Sequence, residues 1–400
     1  SKAIAQYGGT TRTELAVTKA LKWLRDHQND DGSWGENASY KPAFTGFALL
    51  AFLAHGETPS SQEFGACVLK GIKKLVEYGD SANPVGAGAS GYGHMIYTYA
   101  LCEAYALTKI PMLEAVMNKN VQITVNGQNP AGGFDYSYGK SGRCDSSVMG
   151  WACQAMKAGF AAGSTAQGLE QAMMKSIQCF STLMKAEKGF VYSNEVGGAK
   201  PGGVGTPNVT AASTLALQLM GAGREAAAKD GVNYLLAPQW FKFSWKEPQG
   251  GWDCYRWYYQ TQVFFQNFEG TGKEWKEWNK MFTTELLRVQ KPDGHFETPA
   301  REVAKAAAAA GGAVKEGHGE NMFSELDNCV YATSLCCLML EVYYRYLPTF
   351  KVAEAKGGLP IPAMPAADAG KAGAEGGGKT GAAPPPAPGK KDDGGGLVIE

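Results

Sequence analysis

Two kinds of apolar spacing alternate along this chain. In the first, apolar residues keep to one helical face: Val17, Ala20, Leu21 and Leu24 recur at i, i+3, i+4 and i+7, the period of an amphipathic helix. This pattern predicts helices over Leu15–Gln28, Cys67–Tyr78, Leu113–Gln128, Leu169–Lys185, Glu225–Leu236 and Trp275–Gln290. In the second, apolar residues occupy nearly every side and charges are few, as in Phe44–Ala54, Met95–Leu107, Val148–Phe160, Val209–Met220, Trp257–Phe268 and Val330–Tyr346. A helix apolar all round must be buried all round. The alternation therefore predicts helical hairpins, with an inner ring of apolar helices inside an outer ring of amphipathic ones.

A short phrase punctuates the alternation. Gln28, Gln128 and Gln290 are each followed four residues on by Gly and six on by an aromatic, Trp34, Phe134 and Phe296. Glycine supplies the backbone freedom needed to leave a helix, so each phrase reads as an outer helix stopping and turning inward. Looser copies stand at Gly189-Phe190 and Gly250-Gly251-Trp252. An internal repeat of this kind decides the architecture. Six hairpins closing on themselves give an all-α (α/α)6 toroid.

The phrase resembles the repeat of the terpenoid cyclase and protein prenyltransferase superfamily. Asp145-Ser-Ser-Val-Met-Gly-Trp151 and the segment from Val330 to Pro348 resemble an uncharacterised bacterial branch, the prenyltransferase and squalene oxidase repeat proteins. The resemblance implies one toroid over residues 12–354, preceded by an arm (1–11). It also implies that the Gln and aromatic pairs Gln28/Trp34, Gln128/Phe134 and Gln290/Phe296 stack and hydrogen-bond between neighbouring outer helices.

Residues 355–400 are mostly Gly, Ala, Pro and Lys, too poor in bulky apolar side chains to build a core. This tail ends in Leu397-Val398-Ile399, a candidate plug or strand for a neighbouring copy. Lys plus Arg equals Asp plus Glu at 38 each, which leaves no global field to attract nucleic acid. No apolar run reaches the ~18 residues of a membrane span. The nine cysteines show no metal-ligand spacing, so neither metal nor cofactor is expected. An extracellular or cell-surface location after signal removal is the expected compartment, with a cytoplasmic one as the alternative.

The catalytic members of the superfamily imply specific residues. Hopene-type cyclases use Asp-x-Asp-Asp, which is absent here. Oxidosqualene-type cyclases use Asp-Cys-Thr-Ala-Glu, matched in two positions by Asp253-Cys254-Tyr255-Arg256-Trp257. Asp253 is thus one candidate acid and Asp145 a second, each with the plainer reading of a helix-capping or turn residue. The prenyltransferase zinc ligands align with Trp252, Cys254 and Ala332, so only the cysteine remains. Ligand-pocket candidates are His94, Tyr97, Trp151, Cys254, Trp257, Tyr258 and Tyr331, for an apolar small molecule. The aromatics among them fit carbocation stabilisation through their π faces and fit simple packing equally well. On these grounds the sequence reads first as a non-catalytic structural or interaction toroid that self-assembles through its tail and loops. The alternatives are an isoprenoid-acting enzyme and a lipid- or peptide-binding toroid; an open central cavity favours either alternative, a filled one the first reading.

Overall fold

The computed structural model describes residues 2–87, 91–185, 187–194, 205–312 and 319–344. The tail with Leu397, Val398 and Ile399, and most of the Gly197–Gly205 loop, lie outside them. Twelve long helices form the six hairpins. The outer members are α2 (Thr11–Asp26), α4 (Gly65–Asp80), α6 (Pro111–Gly127), α8 (Leu169–Thr182), α10 (Ala226–Leu235) and α12 (Lys273–Val289). The inner members are α3 (Lys41–Ala54), α5 (Tyr92–Thr108), α7 (Ser146–Ala162), α9 (Pro207–Leu219), α11 (Asp253–Asn267) and α14 (Glu325–Leu340). Each inner helix packs on the next and α14 packs back on α3, so the ring closes. The short α1 (Lys2–Gln6) precedes it, and α13 (Pro299–Ala309) is inserted between α12 and α14.

Residue burial follows the two patterns. In α2 the buried residues are those of one face, Val17, Ala20, Leu21 and Leu24 among them, whereas every residue of α3 after Lys41 is buried. No helix among the described residues is long and apolar enough to cross a membrane.

The repeated phrase has the same local structure in its three copies. Gln28 Nε2 donates to Gly32 O (3.1 Å) and to Cys67 O on α4 (3.0 Å). Gln128 Nε2 donates to Gly132 O (3.0 Å) and to Ala172 O on α8 (2.7 Å). Gln290 Nε2 donates to Gly294 O (2.9 Å) and to Ala16 O on α2 (2.8 Å), which ties the sixth hairpin to the first. The side-chain amide thus satisfies a carbonyl in its own turn and one on the neighbouring outer helix. Trp34, Phe134 and Phe296 are fully buried, and Trp34 and Phe296 each donate their N–H to a threonine of the following inner helix, Thr45 (3.1 Å) and Thr333 (2.9 Å).

Several helix starts differ from the periodicity. The helix read from Trp257 begins at Asp253, because Gly250 and Gly251 complete the turn with φ of 99° and 82° and Trp252 O already accepts the Arg256 N–H. The inserted α13 spans Pro299–Ala309, started by Pro299 and by the Thr298 side chain accepting from Arg301 N. Likewise α14 starts at Glu325, capped by Ser324.

Candidate acid site at the head of the inner helices

Two buried carboxyl clusters sit where inner helices begin. The first surrounds Asp145, N-cap of α7. One of its oxygens accepts from Ser147 N (3.0 Å), Ser147 Oγ (2.5 Å) and Val148 N (3.1 Å), and the other from Arg143 Nη2 (3.2 Å). Arg143 also pairs with Asp135 and lies over the Tyr136 and Tyr192 rings. Burial raises the Asp145 carboxyl, and the serine, backbone and arginine partners pull it back. Both oxygens are occupied, which is the inventory of a helix cap.

The second cluster joins Asp253 to Glu320, a residue that the sequence reading did not single out. Asp253 opens α11, and its Oδ1 accepts from Gln249 N (2.8 Å) and Arg256 Nη2 (3.2 Å). Glu320 N donates to Gly251 O (2.8 Å), and its Oε1 accepts from Tyr255 N (3.1 Å) and Tyr331 Oη (3.2 Å). Glu320 therefore bonds the turn before Asp253 and the first turn of α11 after it. The second oxygens, Asp253 Oδ2 and Glu320 Oε2, have no hydrogen-bond partner. Burial and then the neighbouring Asp253 push Glu320 well above the ordinary carboxyl range. Burial also raises Asp253, against the attraction of Arg256. The Arg256 charge thus counters the rise at Asp253, whereas the Asp253 charge adds to the rise at Glu320.

The central rings lie beside this pair. Tyr331 contacts Phe44, Phe47 and Phe323. Trp151 on α7 meets Phe47 on α3 (5.2 Å between centroids) and stacks on Tyr258 on α11 (6.2 Å, 18°). These are alternate members of the inner ring, so the contacts cross its centre. Trp151 and Tyr331 are 1% exposed and Tyr258 3%, which means that rings fill the centre at this level. Trp151 Nε1 and Tyr255 Oη are buried there without a partner.

Three of the pocket candidates turn to the outer layer instead. His94 Nε2 pairs with Asn120 Oδ1 on α6 (3.0 Å) and Nδ1 with Tyr138 Oη (2.7 Å). The Asn120 amide nitrogen is spent on Gly79 O and Val116 O, so Nε2 carries the proton and Nδ1 accepts from the tyrosine. Burial lowers this imidazole to about 4. Tyr97 donates to Pro84 O (2.9 Å) and packs on Tyr78. Trp257 donates to Lys242 O (2.9 Å) and stacks on Phe243 and on Trp245. An inner helix has two faces to bury, and these three side chains serve the hairpin seam. Cys254 is buried beside Cys336. A groove of about 560 Å³ lies on the outer surface between α6 and α8, lined by Gln128, Lys140 and Lys175 among others, and contains none of the acids.

Comparison with known proteins supports the fold. No protein-family model matches the chain. A squalene–hopene cyclase of Zymomonas mobilis subsp. mobilis is 38% identical over 79 residues, 16% of this chain and 11% of that protein. The chain thus matches only about a tenth of the length of that curated relative. Among solved structures, an α-1,6-mannanase of Salegentibacter sp. HEL1_6 superposes with a TM-score of 0.61 at 9% identity, over 84% of this chain and 99% of that one. The unsaturated glucuronyl hydrolase of Streptococcus agalactiae gives 0.59 at 12% identity, over 86% and 95%. The type II terpene cyclase MstE of Scytonema gives 0.51 at 12%, over 84% and 98%. The chain is an (α/α)6 toroid, an architecture that these enzymes share. Within it, the repeated phrase and the partial cyclase match are points of similarity to the toroids of the terpenoid cyclase type.

Proposed function

We propose that this protein is an acid-catalysing enzyme of the isoprenoid class, with Glu320 as proton donor and Asp253 as its ionised partner. The observation that carries the reading is the pair of unpartnered carboxyl oxygens, Asp253 Oδ2 and Glu320 Oε2, buried among aromatic rings with a single arginine. A carboxyl held well above its ordinary range keeps its proton to higher pH, but it is a correspondingly weak acid. It suits protonation of an oxygen, as in an epoxide or allylic ether, better than protonation of a bare alkene. The resemblance of Asp253-Cys254 to the oxidosqualene-type acid motif supports the same substrate class.

In the proposed step, the Glu320 proton passes to the substrate oxygen, the C–O bond breaks and its electron pair stays on that oxygen. The positive charge left on carbon is stabilised by the π face of Tyr331, whose hydroxyl donates to Glu320. The new Glu320 carboxylate is held by the Tyr255 N–H and the Tyr331 hydroxyl, and Arg256 keeps Asp253 ionised. Incubation with 2,3-epoxidised and unepoxidised polyprenes tests this: turnover of the epoxide, lost by about 10²-fold or more in Glu320→Gln, is expected. In Asp253→Asn the alkaline limb of the pH profile moves to lower pH, because the neighbouring negative charge that raises Glu320 is gone. Epoxide turnover that survives both substitutions overturns the assignment.

A second reading is favoured by the rings that cross the centre. A toroid filled at the level of Trp151 also serves as a non-catalytic, self-assembling subunit, with the tail as connector. Electron microscopy and sedimentation of the full chain beside one ending at residue 354 test it; identical monomers in both samples sink it.

A further inference from the structure

We propose that His295, Glu297 and Cys329 form a binding site for one divalent transition-metal cation, Zn²⁺ by the chemistry of its donors. One ligand atom of each lies within 4.8 Å of the other two. A tetrahedral zinc site with bonds of about 2.0–2.3 Å sets its donors roughly 3.5 Å apart, so side-chain shifts on the order of 1 Å complete the shell. Imidazole, thiolate and carboxylate together suit a borderline-soft ion and not Mg²⁺ or Ca²⁺, which take oxygen shells. Three protein ligands leave a fourth position to water. These are not the positions at which the prenyltransferase resemblance aligns zinc ligands, Trp252, Cys254 and Ala332.

The surroundings are arranged around the same three residues. Asp293 Oδ1 lies 2.6 Å from His295 Nδ1 and also accepts the His295 backbone N–H. That contact orients the imidazole and leaves Nε2 as the coordinating nitrogen, the carboxylate–histidine arrangement found behind metal ligands. Glu297 and Cys329 are nearly buried. Burial pushes the Cys329 thiol up to about 12, with the neighbouring Glu297 adding to the effect. A bound cation reverses that balance: the S–H bond breaks, an S–Zn bond forms and the proton leaves to solvent. Lys305 Nζ now stands 2.6 Å from Glu297 Oε1 and 3.2 Å from Glu325 Oε1. Its half-exposed chain can give up Glu297 to a metal and keep Glu325.

The location gives the site a role. Thr298 N donates to Asn328 Oδ1 (3.1 Å), and Asn328 Nδ2 donates back to Thr298 Oγ1 (2.8 Å) and to Glu320 O (2.9 Å). These bonds close the two ends of the insertion that holds α13 and Glu320. Glu297 and Cys329 are the residues immediately outside that closure. A cation joining them is a second staple at the neck of the segment carrying Glu320.

Titration of the full-length chain, reduced and stripped with a chelator, with Co²⁺ and then with Zn²⁺ against a chromophoric chelator tests the site. One equivalent of Co²⁺ with a thiolate-to-cobalt charge-transfer band is expected, and the band disappears in Cys329→Ser. Asp293→Asn, on an exposed side chain, is expected to weaken Zn²⁺ binding about tenfold to a hundredfold while the melting temperature of the stripped protein stays at the wild-type value. Lys305→Met, which removes the competing ammonium, tightens it. Absence of Co²⁺ binding to the wild type, a band that persists in Cys329→Ser, or unchanged affinity in Asp293→Asn overturns the proposal.

Discussion

Asp145 and Glu320 are both fully buried acids beside the start of an inner helix, and their hydrogen-bond inventories separate them. Asp145 announces itself in the sequence by preceding an apolar run, and it proves to be a saturated cap. Glu320 lies in Gly317-His318-Gly319-Glu320, where no periodicity exists to assign it an environment. Its importance comes from pairing with α11, a contact between residues some 65 positions apart that local spacing does not encode. Because its folded carboxyl is raised above the usual 4.5, the unfolded chain ionises first and stability falls as pH rises above that value. Glu320→Gln removes this penalty, so the variant should gain stability over the wild type on going from pH 5 to pH 8, read by urea melts at the two values. His94 acts with the opposite sign. Its folded value of about 4 lies below the ordinary 6.5, so the unfolded chain takes up the proton first and stability is lost as pH falls between them, by at most about 3 kcal/mol. Gln at position 94 can keep both partners without titrating, so His94→Gln should flatten that acid loss in the same melts.

At the scale of the element, the hairpin was readable because its two helices follow different rules. One shows a single apolar face and the other shows none, and the Gln-to-aromatic phrase marks the passage between them. The register of each inner helix was not readable, since a helix apolar on all sides carries no mark of which face meets the centre. Hence Tyr97 and Trp257 face the hairpin seams while Trp151 and Tyr258 meet across the ring. The phrase itself makes a ranked prediction. Gly294 has a φ of 104°, and a Cβ there would stand 2.3 Å from Lys19 O on α2. Backbone cannot yield cheaply, so Gly294→Ala is expected to cost more than about 2 kcal/mol. Gln290→Ala removes two hydrogen bonds and leaves carbonyls to find water, about 1–3 kcal/mol. Denaturant midpoints of the two variants against wild type check the order.

The closed ring was readable from the count of hairpins; the packed centre was not, because it depends on how aromatic side chains from alternate inner helices converge. The closure is made by α14 on α3 and by Gln290 on Ala16 O, and the arm before α2 is held by Trp275 Nε1 and Asn279 Nδ2, which donate to Tyr7 O and Gly8 O. A linear array of repeats needs special units at its ends; here each hairpin has two neighbours. One cooperative unfolding transition is therefore expected, coincident by fluorescence and far-UV circular dichroism, where an open array of hairpins would fray. Where the polypeptide is cut becomes secondary to which hairpins adjoin. A permuted gene, opened in the turn between Gly163 and Gly168 and joined across residues 344 and 2 by a flexible linker, should yield the same toroid, because first and last are labels given by synthesis and the finished ring retains neither.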